Sequence, residues 1–395
     1  MKRHGETRLD GVAPALPSPA NPRGALASRD IARFFHHYIT TLAPWYDLSD
    51  ASMMFGVRLP RLALDSPLLF SAIIALSAMQ ITKTTSPGAK AVAEFYHGHC
   101  VSLLIALDSN ADLAEREIAL AAACLLRTYE IQDEETDPNR HLQGAFSLAS
   151  SYIPGRHDAE YPLLPAGFWN YLREDITHGL FEDRPLKMDL CNIPLPTECP
   201  TDHTWLNAIS LILGQILNGY MNETLHDAYW HRMRANLSKW RLALPAHCTP
   251  FSRANPLPGE VFPSIWMLRD CHAAARHYFL VALYLLGHAA SASDLEELKV
   301  LEPTGARSRE DFLEWCALDI VGIAFTCGSQ AVLVNAFGPI AFCSRSLRLA
   351  AAQQELIRLL NPCAKTIGWP VQRMITDLQN RWQKGRQGAA STSSP

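Results

Sequence analysis

Three places in the 395-residue chain bring together residue types that could do chemistry. The first is His97-Gly98-His99-Cys100, whose imidazoles and thiol are the donors that zinc prefers. On a helix, however, His97 and His99 point about 200° apart and cannot readily share one ion. A surface and core assignment is expected for them. The second is Cys271-His272 with Arg276-His277, inside a strongly apolar stretch where packed histidines are expected. The third is the acidic run Asp133-Glu134-Glu135-Thr136-Asp137. It would hold a divalent cation only with a second ligand set on a facing helix. The nearest candidate, Asn218 to Glu223, lacks the spacing, so a solvated acidic turn before His141 is expected. The chain has no Gly-x-Ser-x-Gly, His-Glu-x-x-His, phosphate loop or dinucleotide fingerprint. No catalytic, cofactor-binding or metal-ligating residue is assigned, and an enzyme is not expected.

Charge points the same way. The net charge is −4 and the pI about 6.4, so no global basic field draws the chain onto nucleic acid or an anionic membrane. Basic residues gather only at Lys2, Arg3, His4 and Arg8, and at Arg381, Lys384 and Arg386. Such short terminal groups mostly solubilise. Trp45, Trp169, Trp266 and Trp369 recur among apolar residues and are read as core packing, with a ligand pocket between helices left open.

The elements that would carry these residues are helical almost throughout, and the fold class is all-α: a large multi-helix bundle with very little strand. Ser66-Pro67 pairs an N-cap with proline at the first helical position, ahead of LLFSAIIALSAMQI. Ser86-Pro87 repeats the device and predicts a stripe of Val92, Phe95, Tyr96, Leu103, Leu104 and Leu107. Asp112 and Glu115 form a capping-box signature that opens a helix with Ile118, Ala122, Leu125 and Tyr129 inward. Further helices are predicted over 139–151, 166–182, 203–227, 229–243, 263–288, 309–327, 338–361 and 370–382. Pro263 and Pro370 are placed in first turns. Residues 1–27 and 385–395 read as disordered by composition. Residues 28–384 read as one helical domain, with a soft boundary at the proline-rich segment 183–202.

Cys100, Cys124, Cys271, Cys316 and Cys327 lie in apolar-periodic stretches, where a free thiol acts as a small hydrophobe. Together with an N-terminus lacking an apolar signal core, this predicts a reducing compartment, cytoplasm or nucleus. There, the glycosylation triplets at Asn222 and Asn236 carry no meaning. The most apolar run, Cys316 to Val334, includes Asp319, Ser329 and Gln330 and is expected to be a core helix.

The order of short motifs adds a resemblance. SPLLFSAIIALSAMQI (66–81), AEFYHGHCVSLLIAL (93–107) and ALAAACLLRTYEIQDEETDPNRHLQGA (119–145) are followed by GFWNYLREDI (167–176). Then come NPLPGEVFPSIWML (255–268), AAARHYFLVALYLL (273–286), VNAFGPIAFCSRSL (334–347) and Gly368-Trp369-Pro370. In this order, from about Ile31 to Trp382, the chain resembles the helical regulatory region of fungal zinc-cluster transcription factors, the fungal-specific transcription factor domain family.

The resemblance implies a nuclear transcriptional regulator, acting in pathway-specific control such as that of secondary metabolism. It implies partners among transcription factors or co-regulators, a homodimer among them, with indirect DNA contact, no membrane, and room for a small-molecule effector. It transfers no catalytic residue. The family's binuclear zinc cluster needs Cys-x2-Cys-x6-Cys twice. Here the first cysteine is Cys100 and no Cys-x2-Cys occurs, so no zinc cluster and no cofactor are expected in this sequence. Two alternatives stay open. One is a co-regulator that does not bind DNA and pairs with a zinc-cluster partner. The other is an all-α metal-dependent enzyme, for which the acidic run is similar to the Mg²⁺ motif of terpene cyclases.

Overall fold

The computed structural model describes residues 16–107, 111–134, 139–156, 158–191, 193–196 and 198–392, with side chains to 387. Most of it is helix. The chain opens with α1 (Pro22–Ala25), α2 (Arg29–His37), α3 (Ala43–Tyr46) and α4 (Leu59–Ala63). Two π-helical turns, Tyr38–Leu42 and Met54–Arg58, interrupt this region. The long helices α5 (Pro67–Thr84), α6 (Lys90–Ile105), α7 (Leu113–Asp133), α8 (Arg140–Ala149) and α9 (Leu163–Glu182) follow. The second half holds α10 (Asp202–Met221), α11 (Asp227–Ala243), α12 (Asp270–Ala289), α13 (Ala292–Leu301), α14 (Arg309–Thr326) and α15 (Gln330–Cys343). The chain closes with α16 (Ala350–Leu360), α17 (Cys363–Thr366) and α18 (Val371–Thr392).

Local chemistry sets several starts as expected. Ser66 Oγ accepts from Leu69 N, and Asp112 with Glu115 forms a complete capping box. The differences are instructive. Pro263 does not open a helix. It precedes β2 (Ser264–Trp266), which pairs antiparallel with β1 (Ser252–Ala254), and α12 begins only at Asp270. The helix expected over 338–361 is two helices separated at Ser344–Leu349, and the first of them starts eight residues earlier and takes Pro339 into its interior. Phe95 is 44% exposed rather than inward. Within the stretch read as disordered, Pro22–Ala25 is helical, Ala25 is buried and Arg23 pairs with Asp65 at 2.8 Å. Residues 1–15 lie outside the described residues, while backbone helix continues through 385–392. The apolar run from Cys316 is broken between α14 and α15. Pro67–Thr84 is long and apolar enough to cross a membrane by length and composition, but most of it is buried in the core.

One core joins both sides of the 183–202 segment. α5 packs on α6 and α7, α7 on α9, α9 on α15, and α15 on α12, which packs in turn on α10 and α14. The segment itself buries Leu186, Met188 and Leu190. At the crossing of α9 and α15, a Cβ on Gly338 would sit 3.0 Å from Thr177 Cα, so the backbones approach closely there. The C-terminal part returns to the first half, where Gln80 Nε2 donates to Ile367 O at 3.2 Å, and it also packs on α15, where Trp369 stacks on Phe337 at 5.2 Å.

A Cβ on Gly322 of α14 would lie 2.4 Å from the carbonyl oxygen of Pro263, which leads into β2. Gly322→Ala is expected to destabilise by about 1–3 kcal/mol in urea unfolding, because overpacking against backbone outweighs the helix propensity gained. Gly98→Ala on α6, with nothing within 4 Å, is the control and should stabilise by about 0.5–1 kcal/mol. Equal effects at the two positions would contradict this packing.

Candidate functional site

Among the described residues, histidine, cysteine and carboxylate side chains converge where α10 and α12 begin. Thr201 caps α10 through a reciprocal pair with Thr204 and sets Asp202 in the first turn, where the positive helix end favours a carboxylate. Pro245 follows α11, and a short 3-10 turn, Ala246–Cys248, presents His247 and Cys248. Arg269 precedes α12 and puts His272 in its first turn. The two helices run side by side in the same direction: Asp202 meets His272 at one end, and Tyr220 Oη meets His288 Nδ1 at 3.1 Å near the other.

All three segments turn toward one point. His247 Nε2 is 2.9 Å from Asp202 Oδ1, and His272 Nε2 is 3.0 Å from Asp202 Oδ2. Cys248 Sγ lies 3.5 Å from His272 Nε2 and 3.8 Å from Asp202 Oδ1. The four ligand atoms fall within 4.8 Å of one another. Arg269 donates to Asp202 Oδ2 at 3.1 Å. Hydrogen bonds from His247, then His272 and Arg269, hold the Asp202 carboxyl well below the usual range against its desolvation. Burial and the nearby carboxylate push the Cys248 thiol up to about 12.

This is not a nucleophilic relay. A Cys–His–Asp relay needs the thiol on one ring nitrogen and the acid on the other. Here both face the same Nε2 of His272, and its Nδ1 is buried without a partner. A thiol held protonated is also a poor nucleophile.

Two cavities flank the cluster. One, of about 300 Å³, is lined by Trp240, Arg241, Cys248, Arg253, Arg276 and Glu302 among others. Its charges are already paired: Arg276 and Arg241 meet Glu302 at 2.7 and 3.4 Å, and Arg253 meets Asp319 at 2.7 Å. Burial pushes Glu302 upward, yet Arg276 and Arg241 hold it below its ordinary value. The other cavity, of about 440 Å³, is lined by Asp47, Asp50, Met53, His203, Arg269 and Cys271 among others. There burial raises Asp47 to about 7, although Phe55 and Gly56 N–H groups donate to it at 2.8 and 2.7 Å.

The residues singled out from sequence scatter. His97 stacks on Tyr129 at 4.2 Å, His99 Nδ1 meets Ser71 Oγ at 3.0 Å, and Cys100 is buried toward Leu68 O. His277 is buried with Nε2 3.0 Å from Ile320 O, and Arg276 serves Glu302. Asp133 is buried, while Glu135, Thr136 and Asp137 lie outside the described residues. Asn218 accepts from Leu186 N at 2.7 Å and so holds the inter-helix loop. Trp45 and Trp369 are buried as expected, but Trp266 on β2 is 46% exposed. Arg381 pairs with Asp183 and Asp377, and Arg386 donates to Gln353. Lys2, Arg3, His4 and Arg8 fall outside the described residues. Of the cluster, only His272 was singled out. Asp202, His247 and Cys248 were missed, and their one sequence signal is the adjacent His-Cys pair behind a helix-ending Leu-Pro.

Comparison with known proteins gives one family: residues 33–168 match the model of the fungal specific transcription factor domain. No curated protein and no solved structure matches the chain.

Inside the matched segment, His97 Nε2 and His141 Nε2 stand 3.1 Å apart and can share a single hydrogen. Burial, then the neighbouring His97, Arg127 and Arg140, lower His141 to about 4, and burial lowers His97 as well. Above the unfolded value near 6.5 both states hold neutral rings, so stability is unaffected. Between about 6.5 and 4 the unfolded chain binds a proton that the fold refuses, and stability falls with falling pH. His141→Asn should therefore narrow the drop in thermal midpoint between pH 7 and pH 5 relative to the parent. An unchanged drop would show that the pair is not responsible.

Proposed function

We propose that this protein regulates fungal gene transcription through protein contacts made by its helical domain. The match of residues 33–168 to the fungal specific transcription factor domain carries the reading. Supporting it, the matched segment shares one hydrophobic core with the rest of the helices, so the chain acts as one folded body. A net charge of −4 favours protein partners over direct phosphate contact. The cluster where α10 and α12 begin is not a nucleophilic relay, in keeping with a non-catalytic role. The finer reading is pathway-specific control in the nucleus, such as that of secondary metabolism, with other regulators as partners and DNA reached through them.

Deleting the gene should change a restricted set of transcripts several-fold, and restoring it should reverse the change. Transcript levels that stay the same on deletion would end this reading. A gel-shift titration with the purified chain separates direct from partner-borne DNA contact. Weak, sequence-independent binding that fades with added salt is expected, whereas tight sequence-specific binding would show that the chain reads DNA itself.

A further inference from the structure

We propose that Asp202, His247, Cys248 and His272 form a zinc site that pins together the start of α10, the turn after α11 and the start of α12. The inference is independent of the transcriptional reading. It stands on the geometry of three segments that converge on one point.

The donor chemistry is selective. Two imidazoles and a thiolate are borderline-to-soft donors that, with one carboxylate oxygen, suit zinc, whereas magnesium and calcium require oxygen throughout. The spacing suits a tetrahedral ion as well. Donors ~2.0–2.3 Å from a tetrahedral zinc lie about 3.3–3.7 Å from one another. The Sγ–Nε2 separation of 3.5 Å and the Sγ–Oδ1 separation of 3.8 Å already fall at that scale. The His247 Nε2–Oδ1 separation of 2.9 Å needs to open by a few tenths of an ångström, and the widest separations, within 4.8 Å, need to close on the ion. With four protein donors the shell is closed, which is the form of a structural site.

The second shell fits in the same way. With Oδ1 on the ion, Arg269 keeps Oδ2 and fixes the carboxylate plane, as outer partners of metal ligands do. Binding releases the Sγ proton of Cys248 to solvent, and each imidazole coordinates through Nε2 with its hydrogen on Nδ1. The Nδ1 of His272 is buried without a hydrogen-bond partner, so the outer shell of this ring is packing alone. Thiolate and carboxylate together balance the two charges of the ion. His247, with its side chain 54% exposed, leaves a path by which the ion enters.

The test uses the full chain, freed of any affinity tag and purified without chelator. Elemental analysis should find one zinc per chain. Chelation should lower the thermal midpoint, and zinc added back should restore it. Cobalt in place of zinc should show a thiolate charge-transfer band that survives Cys191→Ser, at an exposed cysteine, and vanishes in Cys248→Ser. His247→Asn, at a side chain half in solvent and tolerant of change, should weaken zinc binding if Cys248→Ser fails to fold. Arg269→Gln should weaken it about tenfold while retaining the band. A parent protein without zinc, unmoved in midpoint by added zinc and lacking the cobalt band, would overturn the proposal. So would a band that persists in Cys248→Ser, or affinity unchanged in His247→Asn.

Discussion

Two of the helices, α5 and α12, are buried on every side over most of their length, and much of the fold is arranged to surround them. In α5 every residue from Leu69 to Gln80 is buried, and in α12 every residue from His277 to Gly287 is buried. A helix that is apolar around its whole circumference is stable in water only when enclosed on all sides. α2, α6 and α7 enclose α5, while α10, α14 and α15 enclose α12. The packing of α9 against α15 makes a common wall between the two groups. Cutting the chain at 183–202 would strip that wall from both. The domain match at 33–168 therefore covers part of a larger cooperative unit.

Enclosure on this scale leaves polar groups inside that must be satisfied. Arg173, 2% exposed, donates to Asn170 Oδ1 at 2.7 Å, to Tyr46 O at 3.3 Å and to Ser49 Oγ. Asn170 donates to Tyr46 O at 3.1 Å. Arg127 lies between Glu130 and Glu174 at 3.4 and 3.7 Å. Removing one member of such a set leaves an uncompensated charge in the core, which costs more than the pair contributes. The bonds of Arg173 and Asn170 to Tyr46 and Ser49 hold the irregular stretch 38–58, with its two π-helical turns, against α9. Helix periodicity alone describes that stretch poorly, because its conformation is set by side-chain bonds, some within it, as at Asp47, and some from more than a hundred residues away, as from Arg173.

The same division explains what was legible in the sequence. Ser66-Pro67 and Asp112-x-x-Glu115 are local devices that act within one turn, so they could be read directly. Pro263 could not: its neighbours pair as strand with residues 252–254, and the carbonyl of Pro263 packs at Gly322. The helix expected from 338 starts instead at Gln330 and runs through Pro339. Proline removes one N–H from a helix and usually ends it, but here the enclosing core holds α15 through it. The site was the least legible part. His272 drew notice by residue type alone, while Asp202 and the His247-Cys248 pair are 45 and 24 residues distant along the chain from the partners they meet. No spacing rule of the Cys-x2-Cys kind covers a set assembled from three segments.

The position of that set follows from topology rather than chance. Neighbouring helices joined by short loops run antiparallel, whereas α10 and α12 run parallel and need the long excursion through α11 and the β1–β2 hairpin. Parallel packing brings two positive helix ends together, and Arg269 adds a third positive charge beside them. Negative charge is therefore required at this one point. Asp202 supplies it, and its three cationic or hydrogen-donating neighbours keep it ionised. A thiolate at Cys248 would add to it, but burial keeps that thiol protonated unless a cation replaces the proton. The fold thus holds an ionised carboxylate against the positive ends of two parallel helices by its own connectivity, with a thiol and two imidazoles beside it.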